Sequence, residues 1–322
     1  LFVEILVGVV QRQIDGPEIE HLSLGAGVRG GVEGVSEGRA CVTLAAATPA
    51  DADDEGRPIH TCRWEVASKS RAVPATTAAI LRGMGQETMD AISFGTDGWR
   101  APLSEFTSER VRAVGQAVAT YLDDADVSGA VAVGYDAREP SPGFAGDLAD
   151  VLSANGRDVL LADRDCPTPT VAWAVADRGL AGALMVTASH NPPEYNGVKF
   201  IPSDGAPALP EVTEAIEARL ATPAAGPGDG DVTETDFVAP HAEHVLELAD
   251  VDLSGLTVAY DAMHGSGREA TPALLERAGA TVTRLRCERD PAFGGTAPEP
   301  SAENLDALAA AVQDGDADVG VA

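Results

Sequence analysis

From residue 89 onward the apolar positions fall into two alternating rhythms. "VRAVGQAVATYL" (111–122) repeats its apolar residues at helical spacing, and "AVAVGYD" (130–136) is a short unbroken apolar run of strand type. "GFAGDLADVLSANG" (143–156) returns to the helical period and ends at a glycine; "DVLLAD" (158–163), "PTVAWAVADRG" (169–179) and "AGALMVTA" (181–188) continue as strand, helix, strand. "VKFI" (198–201) predicts one more strand and "LPEVTEAIEARL" (209–220) one more helix.

A Pro, Gly and acid-rich stretch follows, and then the rhythm resumes: a helix at 240–249, a strand at 256–262, a helix at 269–279, a strand at 281–286, a helix at 303–313 and the start of a strand in "DADVGVA". Strands alternating with helices imply mixed, mainly parallel sheets sandwiched by helices. The expected fold class is therefore α/β/α, with one complete domain at 89–222, a linker at 223–238 and a second, truncated domain at 239–322. Residues 1–88 carry a Gly-rich run and an acidic "DADDEG" with no sustained period. They are expected to be an unassigned extension outside the functional domain, in keeping with upstream sequence ahead of a start at Met84 or Met89.

Charge sharpens this division. The net charge is −29, and residues 89–322 carry 39 acidic and 14 basic side chains, against 12 and 8 in residues 1–88. Only two lysines occur, Lys69 and Lys199. A lysine-poor acidic surface suits a halophilic protein kept soluble in concentrated salt. The lack of any Lys/Arg cluster argues against nucleic acid as a partner. The opening "LFVEILVGVV" is interrupted by Glu4 and far shorter than the roughly 20 residues that cross a bilayer, so no membrane partner is expected. Cys41, Cys62, Cys166 and Cys287 form no C-x-x-C pair, which argues against a zinc site or disulfide framework and favours the cytoplasm. Nothing in the pattern bears on oligomeric state.

The candidate chemistry lies in "TASHNPPEYNGVKF" (187–200). A strand ending at Thr187 would deliver Ser189 to the carboxyl edge of the sheet, where open α/β folds bind ligands. Pro192 and Pro193 keep the following backbone out of helix and sheet, and Asn196-Gly197 has the composition of a tight turn that would fold Lys199 back towards Ser189. The G-x-S-x-G elbow of serine hydrolases is missing. From spacing alone two readings stand side by side: a serine and lysine arranged for phosphoryl transfer, or a turn in which Ser189, His190 and Asn191 merely satisfy backbone groups.

The same stretch resembles the active-serine loop of the alpha-D-phosphohexomutases, the family of phosphoglucomutase and phosphomannomutase. "SFGTDGWR" (93–100), "GYDAREPSPGFA" (134–145), "CPTPTVAWAV" (166–175), "YDAMHGSG" (260–267) and "DPAFGGTAPEP" (290–300) follow in that family's order. The resemblance implies an isomerase that interconverts hexose 1-phosphate and hexose 6-phosphate through a phosphoserine and a bisphosphorylated sugar. In that reading the catalytic residues are Ser189, Lys199 and His190, and Arg100 and Asn191 bind the hexose phosphate substrate. Arg138 would either support the site from the "YDAR" turn or simply pack, and His264 has a turn role.

The resemblance also implies a Mg2+ cofactor held by the phosphate on Ser189 and by three aspartates of a D-G-D-x-D-R loop. That loop would follow "ADVGVA" (317–322), so the Asp ligands are expected beyond residue 322 and this chain is expected to be inactive or nearly so. Two nearer aspartate sets, Asp229 with Asp231 and Asp314 with Asp316 and Asp318, are not expected to bind metal. A non-catalytic sugar-phosphate-binding fragment is the alternative.

Overall fold

The computed structural model describes residues 92–95, 98–220 and 228–322, together with the backbone of Val10 and Gln11. The expectation for residues 1–88 falls almost wholly outside the described residues.

The first unit is a six-stranded sheet. In chain order its strands are β2 (Trp99–Pro102), β3 (Val131–Tyr135), β4 (Val159–Ala162), β5 (Gly182–Val186), β6 (Tyr195–Pro202) and β7 (Val232–Thr235), laid side by side as β2-β6-β5-β3-β4-β7. β5, β3, β4 and β7 run parallel, and β6 is antiparallel to both β5 and β2. Helices α1 (Ser108–Asp124), α2 (Ser141–Ala154) and α4 (Pro210–Glu217) lie on one face, and α3 (Thr168–Arg178) lies on the other.

Strand alternation explains this layering, because successive side chains point to opposite faces. Val131 and Val133 join the core beneath α1 and α2, and Ala132 between them joins the core beneath α3. The helices are held by burial of their apolar stripes. In α1, Val111, Val114, Val118 and Leu122 are all buried, and each such side chain contributes roughly 1.5–3 kcal/mol of transfer free energy. Gly179 ends α3 in the left-handed region, at φ 62°, as a helix-stopping glycine does.

The second unit begins with α5 (Val238–Ala249). Its sheet has the order β1-β10-β8-β9, with β8 (Thr257–Asp261), β9 (Thr281–Leu285) and β10 (Val319–Val321) parallel and β1 (Val10–Gln11) antiparallel at the edge. α6 (Ala270–Arg277) and α7 (Asp306–Gln313) each cover an apolar cluster on it. The mixed α/β architecture is the one expected.

Two local expectations are corrected. Within the stretch expected to be a linker, Val232–Thr235 forms β7 and pairs with β4 from Val159 to Ala162. Its side chains are largely exposed, so backbone pairing alone holds it and no apolar pattern announces it. Asn196 and Gly197 make no turn. They lie inside β6, where Asn196 donates to Ser141 Oγ at 2.9 Å and its own side-chain oxygen accepts the Gly197 N–H at 2.8 Å.

The two units meet through paired charges and a buried histidine. Arg268 makes a two-pronged contact with Asp165, Arg164 pairs with Glu269 and Arg289 pairs with Glu139. On α5, His241 Nδ1 lies 3.1 Å from Thr170 Oγ1 of α3, with the Trp173 ring 5.5 Å away. Among the described residues no helix is long and apolar enough to cross a membrane.

Two predictions follow from this packing. A Cβ at Gly197 would come within 2.6 Å of the Thr187 carbonyl oxygen and 2.8 Å of that of Trp99, both backbone atoms. Gly197→Ala should therefore push β5, β6 and β2 apart and cost about 1–3 kcal/mol in chemical denaturation. Burial, with the charge of His244 second, lowers the His241 pKa from 6.5 to about 4. The unfolded chain then takes up this proton first, so stability should fall as pH drops from 6.5 towards 4. His241→Gln should flatten the dependence across that window in thermal melts.

Candidate active site

The loop between β5 and β6, residues 187–194, lies at the carboxyl end of β5. Antiparallel pairing of the two strands makes it a hairpin connection, and Pro192 and Pro193 keep it from continuing the ladder. Ser189 stands at its exposed tip with φ 56°, a left-handed conformation that is uncommon for any residue but glycine. The Ser189 N–H donates to Thr187 Oγ1 at 2.9 Å and the Asn191 N–H to the Ala188 carbonyl at 3.1 Å, which fixes the tip locally.

Arg138 fixes it globally. This residue lies just after the end of β3, next to the serine loop because β3 and β5 are parallel neighbours. Its Nη1 donates to the carbonyls of Pro192 (2.7 Å) and Tyr195 (3.0 Å), and its Nη2 to those of Ser189 (3.0 Å) and Asn191 (2.7 Å). Its Nε donates to Asp136 Oδ2 at 3.0 Å. All five guanidinium N–H groups have acceptors, and the side chain is 0% exposed. Burial lowers its pKa, against the opposing pull of Asp136. Asp136 Oδ1 also accepts from Ser141 Oγ at 2.7 Å, and Ser141 Oγ accepts from Asn196. One buried polar network thus joins the serine loop, the start of α2 and the strand that carries Lys199.

The other predicted side chains lie in this loop or on the strands beside it. His190 Nδ1 is 3.4 Å from Ser189 Oγ, and His190 Nε2 is 3.4 Å from Glu299 of the second unit. Arg100 sits in β2 opposite Gly197, with its stem over that glycine, and its charge reaches Arg138. Lys199 lies opposite Met185 and two residues along β6 from Gly197, so it points to the same face as Arg100. The two cations therefore flank a position that has no side chain. Asn191 takes part through its backbone, as a donor to Ala188 and an acceptor from Arg138.

In front of Ser189 opens a cleft of about 300 Å³ between the two units, lined by Asp136, Thr168, Asp261, Ser266 and Phe293 among others. Its two carboxylates are committed to arginines: Asp136 to Arg138, and Asp261, which is 1% exposed, to Arg286 through Nε at 2.8 Å and through Nη2. His264 serves the far wall. Its N–H donates to the Arg286 carbonyl at 2.8 Å, and its Nδ1 is 3.0 Å from the Glu288 carbonyl. The nearby thiol of Cys166 is pushed up to about 12 by burial and is no nucleophile at neutral pH.

The residues whose roles the motifs could not assign are Phe293, Glu299 and Asp261. Only the meeting of two units separated by about a hundred residues brings them to Ser189. Asp318, set aside above as a metal ligand, accepts the Thr257 N–H at the opposite end of β8.

Comparison with known proteins agrees with this arrangement. Residues 91–225 match the family model for phosphoglucomutase/phosphomannomutase alpha/beta/alpha domain I, and residues 239–322 match that for domain II. A Methanopyrus kandleri protein named "Probable phosphoglucosamine mutase" is 38% identical over 242 residues, which is 71% of this chain and 51% of that protein. A phosphopentomutase of Thermococcus kodakarensis is 35% identical over 240 residues, covering 70% of this chain and 52% of its own length. Among solved structures, a phosphoglucomutase/phosphomannomutase family protein from Burkholderia thailandensis superposes with a TM-score of 0.62 at 28% identity, covering 71% of this chain and 52% of that one. The chain spans about half the length of the curated relatives it matches. With both family domains matched in order and the serine loop at the mouth of the cleft between them, the chain belongs to the alpha-D-phosphohexomutase family.

Proposed function

We propose that Ser189 is the phosphoryl carrier of a mutase that interconverts hexose 1-phosphate and hexose 6-phosphate. A hydroxyl of the bound sugar phosphate attacks the phosphorus on Ser189 Oγ. The new O–P bond forms as the old one breaks, and the proton lost by the sugar hydroxyl goes to the leaving serine oxygen. The resulting bisphosphate returns its other phosphoryl group to Ser189 by the same exchange in reverse. Such a transfer needs positioning and charge stabilisation more than covalent help.

The observation that carries this reading is an exposed serine hydroxyl whose loop backbone is tied down by four carbonyl contacts to one buried arginine. Lys199 and Arg100 supply positive charge on the neighbouring strands for the phosphoryl oxygens. His190, with its ring nitrogen next to Ser189 Oγ, is suited to hold the travelling proton.

Magnesium belongs to the proposal as the ion that offsets phosphoryl charge, with the phosphate on Ser189 as one ligand. Among the described residues no group of three or more His, Cys, Asp or Glu side chains could hold a metal ion, and both cleft carboxylates already pair with arginines. The residues present do not by themselves make a magnesium site. The acidic surface, net charge −29, supports a working place in a saline cytoplasm.

Intact-mass and peptide mapping of the protein from its native source should find one phosphate, on Ser189. Ser189→Ala should abolish labelling by a hexose bisphosphate and cut sugar-phosphate interconversion by on the order of 10³-fold or more. Lys199→Met should slow transfer by about 10²–10⁴-fold with labelling still directed to Ser189. Full interconversion by Ser189→Ala would end the proposal.

A further inference from the structure

The in-plane bonding of Arg138 is saturated, so only the flat faces of its guanidinium remain to be acted on. One face carries the ring of Phe293, 5.1 Å from the guanidinium carbon. That ring belongs to the second unit and is buried. Its turn is built to put it there. Asp290 accepts the N–H groups of Ala292 (2.9 Å) and Gly294 (3.1 Å), and these two bonds lower the Asp290 pKa. The Phe293 N–H donates to the Asp290 carbonyl at 2.9 Å, and Phe293 itself is held at φ 51°, a conformation a bulky residue adopts only when its surroundings force it. A Cβ at Gly294 would meet the His264 ring at 3.4 Å, and Arg289, just before the turn, pairs with Glu139, the neighbour of Arg138.

We infer that Phe293 is a positioning residue of the serine loop, acting through Arg138, so that docking of the second unit and order at Ser189 are a single event. The inference rests on the phosphoryl-carrier reading for its consequence, but not for its physics. With the ring in place the guanidinium face is dry, and water cannot compete for the three loop carbonyls and that of Tyr195. With the ring withdrawn, the same five N–H groups gain solvent access, the loop backbone loosens and the serine oxygen loses its fixed reach. The aromatic face attracts the cation electrostatically, which an aliphatic side chain of similar bulk does not do.

The test uses the 322-residue chain with Phe293→Leu, which keeps bulk and removes the ring, and Arg138→Lys, which keeps charge and removes the fork. Amide exchange of residues 189–195 should accelerate by about tenfold in Phe293→Leu and further in Arg138→Lys, with amides of β3 and β5 within about twofold of wild type. Arg138 should show slow, separate side-chain N–H signals by NMR in the wild type and averaged ones in Phe293→Leu, a signature that general destabilisation would not produce. With a hexose 1,6-bisphosphate as phosphoryl donor, the maximal rate of Ser189 labelling should fall about tenfold in Phe293→Leu at an unchanged half-saturating concentration.

Loop exchange and Arg138 signals matching wild type in Phe293→Leu would overturn the inference, as would equal acceleration throughout the sheet. Labelling at Ser189 bears on the carrier reading, and the exchange and NMR arms decide the role of Phe293 independently of it.

Discussion

The site depends on one buried cation. Arg138 has no exposed surface, and its five donors are divided between one carboxylate, three carbonyls of the serine loop and that of Tyr195 at the start of β6, all four carbonyls more than fifty residues away. A loop that contains two prolines and a left-handed serine cannot satisfy its own carbonyls by regular pairing, and buried carbonyls left without donors are costly. The guanidinium fork answers that need at a single point. It remains a charge out of water, tolerable only because Asp136 lies beside it, and removal of either partner from such a pair typically costs about 3–5 kcal/mol. Ser141 and Asn196 complete the network, so the same cluster that shapes the serine loop also anchors the strand of Lys199.

The second unit extends this logic across the cleft. Asp261, at the end of β8, is buried and paired with Arg286, which also donates to the Asn304 carbonyl at 2.9 Å. Met263 and His264, the next turn, both adopt left-handed backbone. Their strain is held in place by bonds to Asp261, Arg286 and Glu288. The wall facing Ser189 is therefore rigid by construction, and the turn bearing Phe293 is fastened to it. The two-pronged contact of Arg268 with Asp165, both largely buried, joins the units beside the same cleft. Exposed pairs such as Arg164 with Glu269 add little beyond orientation.

Membership of the phosphohexomutase family and the geometry of the cleft point the same way. The exposed hydroxyl and the nearby imidazole stand at the mouth of the cleft, and Arg100 and Lys199 lie on the neighbouring strands β2 and β6 of a strongly acidic protein. In the proposed reading an anionic sugar phosphate meets repulsion over most of the surface, and the two strand-borne cations would offset it near the serine loop. Commitment of both cleft carboxylates to arginines serves the same end, because it removes negative charge from the place where a phosphoryl group would sit.

How far the chain could be read without its fold differs from residue to residue. The alternation of 3.6-residue and unbroken apolar periods determined most of the elements, because burial on one face leaves a repeat that any window reveals. The serine loop, Lys199 and Arg100 were legible as contiguous motifs. Arg138 was visible in "YDAR" as either a support of the site or a packing residue, but its partners were not legible, since four of the five lie more than fifty residues away. Asn196-Gly197 read as a turn, because local preference cannot register that the asparagine is wanted by Ser141 and that the glycine is needed between two crowding carbonyls. β7 stayed hidden because backbone pairing leaves no trace in polarity. Local chemistry and periodicity were thus written in the order of residues. The contacts that shape the serine loop, Arg138 to its backbone and Phe293 to Arg138, were decided only when the sheet and the second unit closed, because hydrogen bonds and ring contacts depend on distance in space and not along the chain.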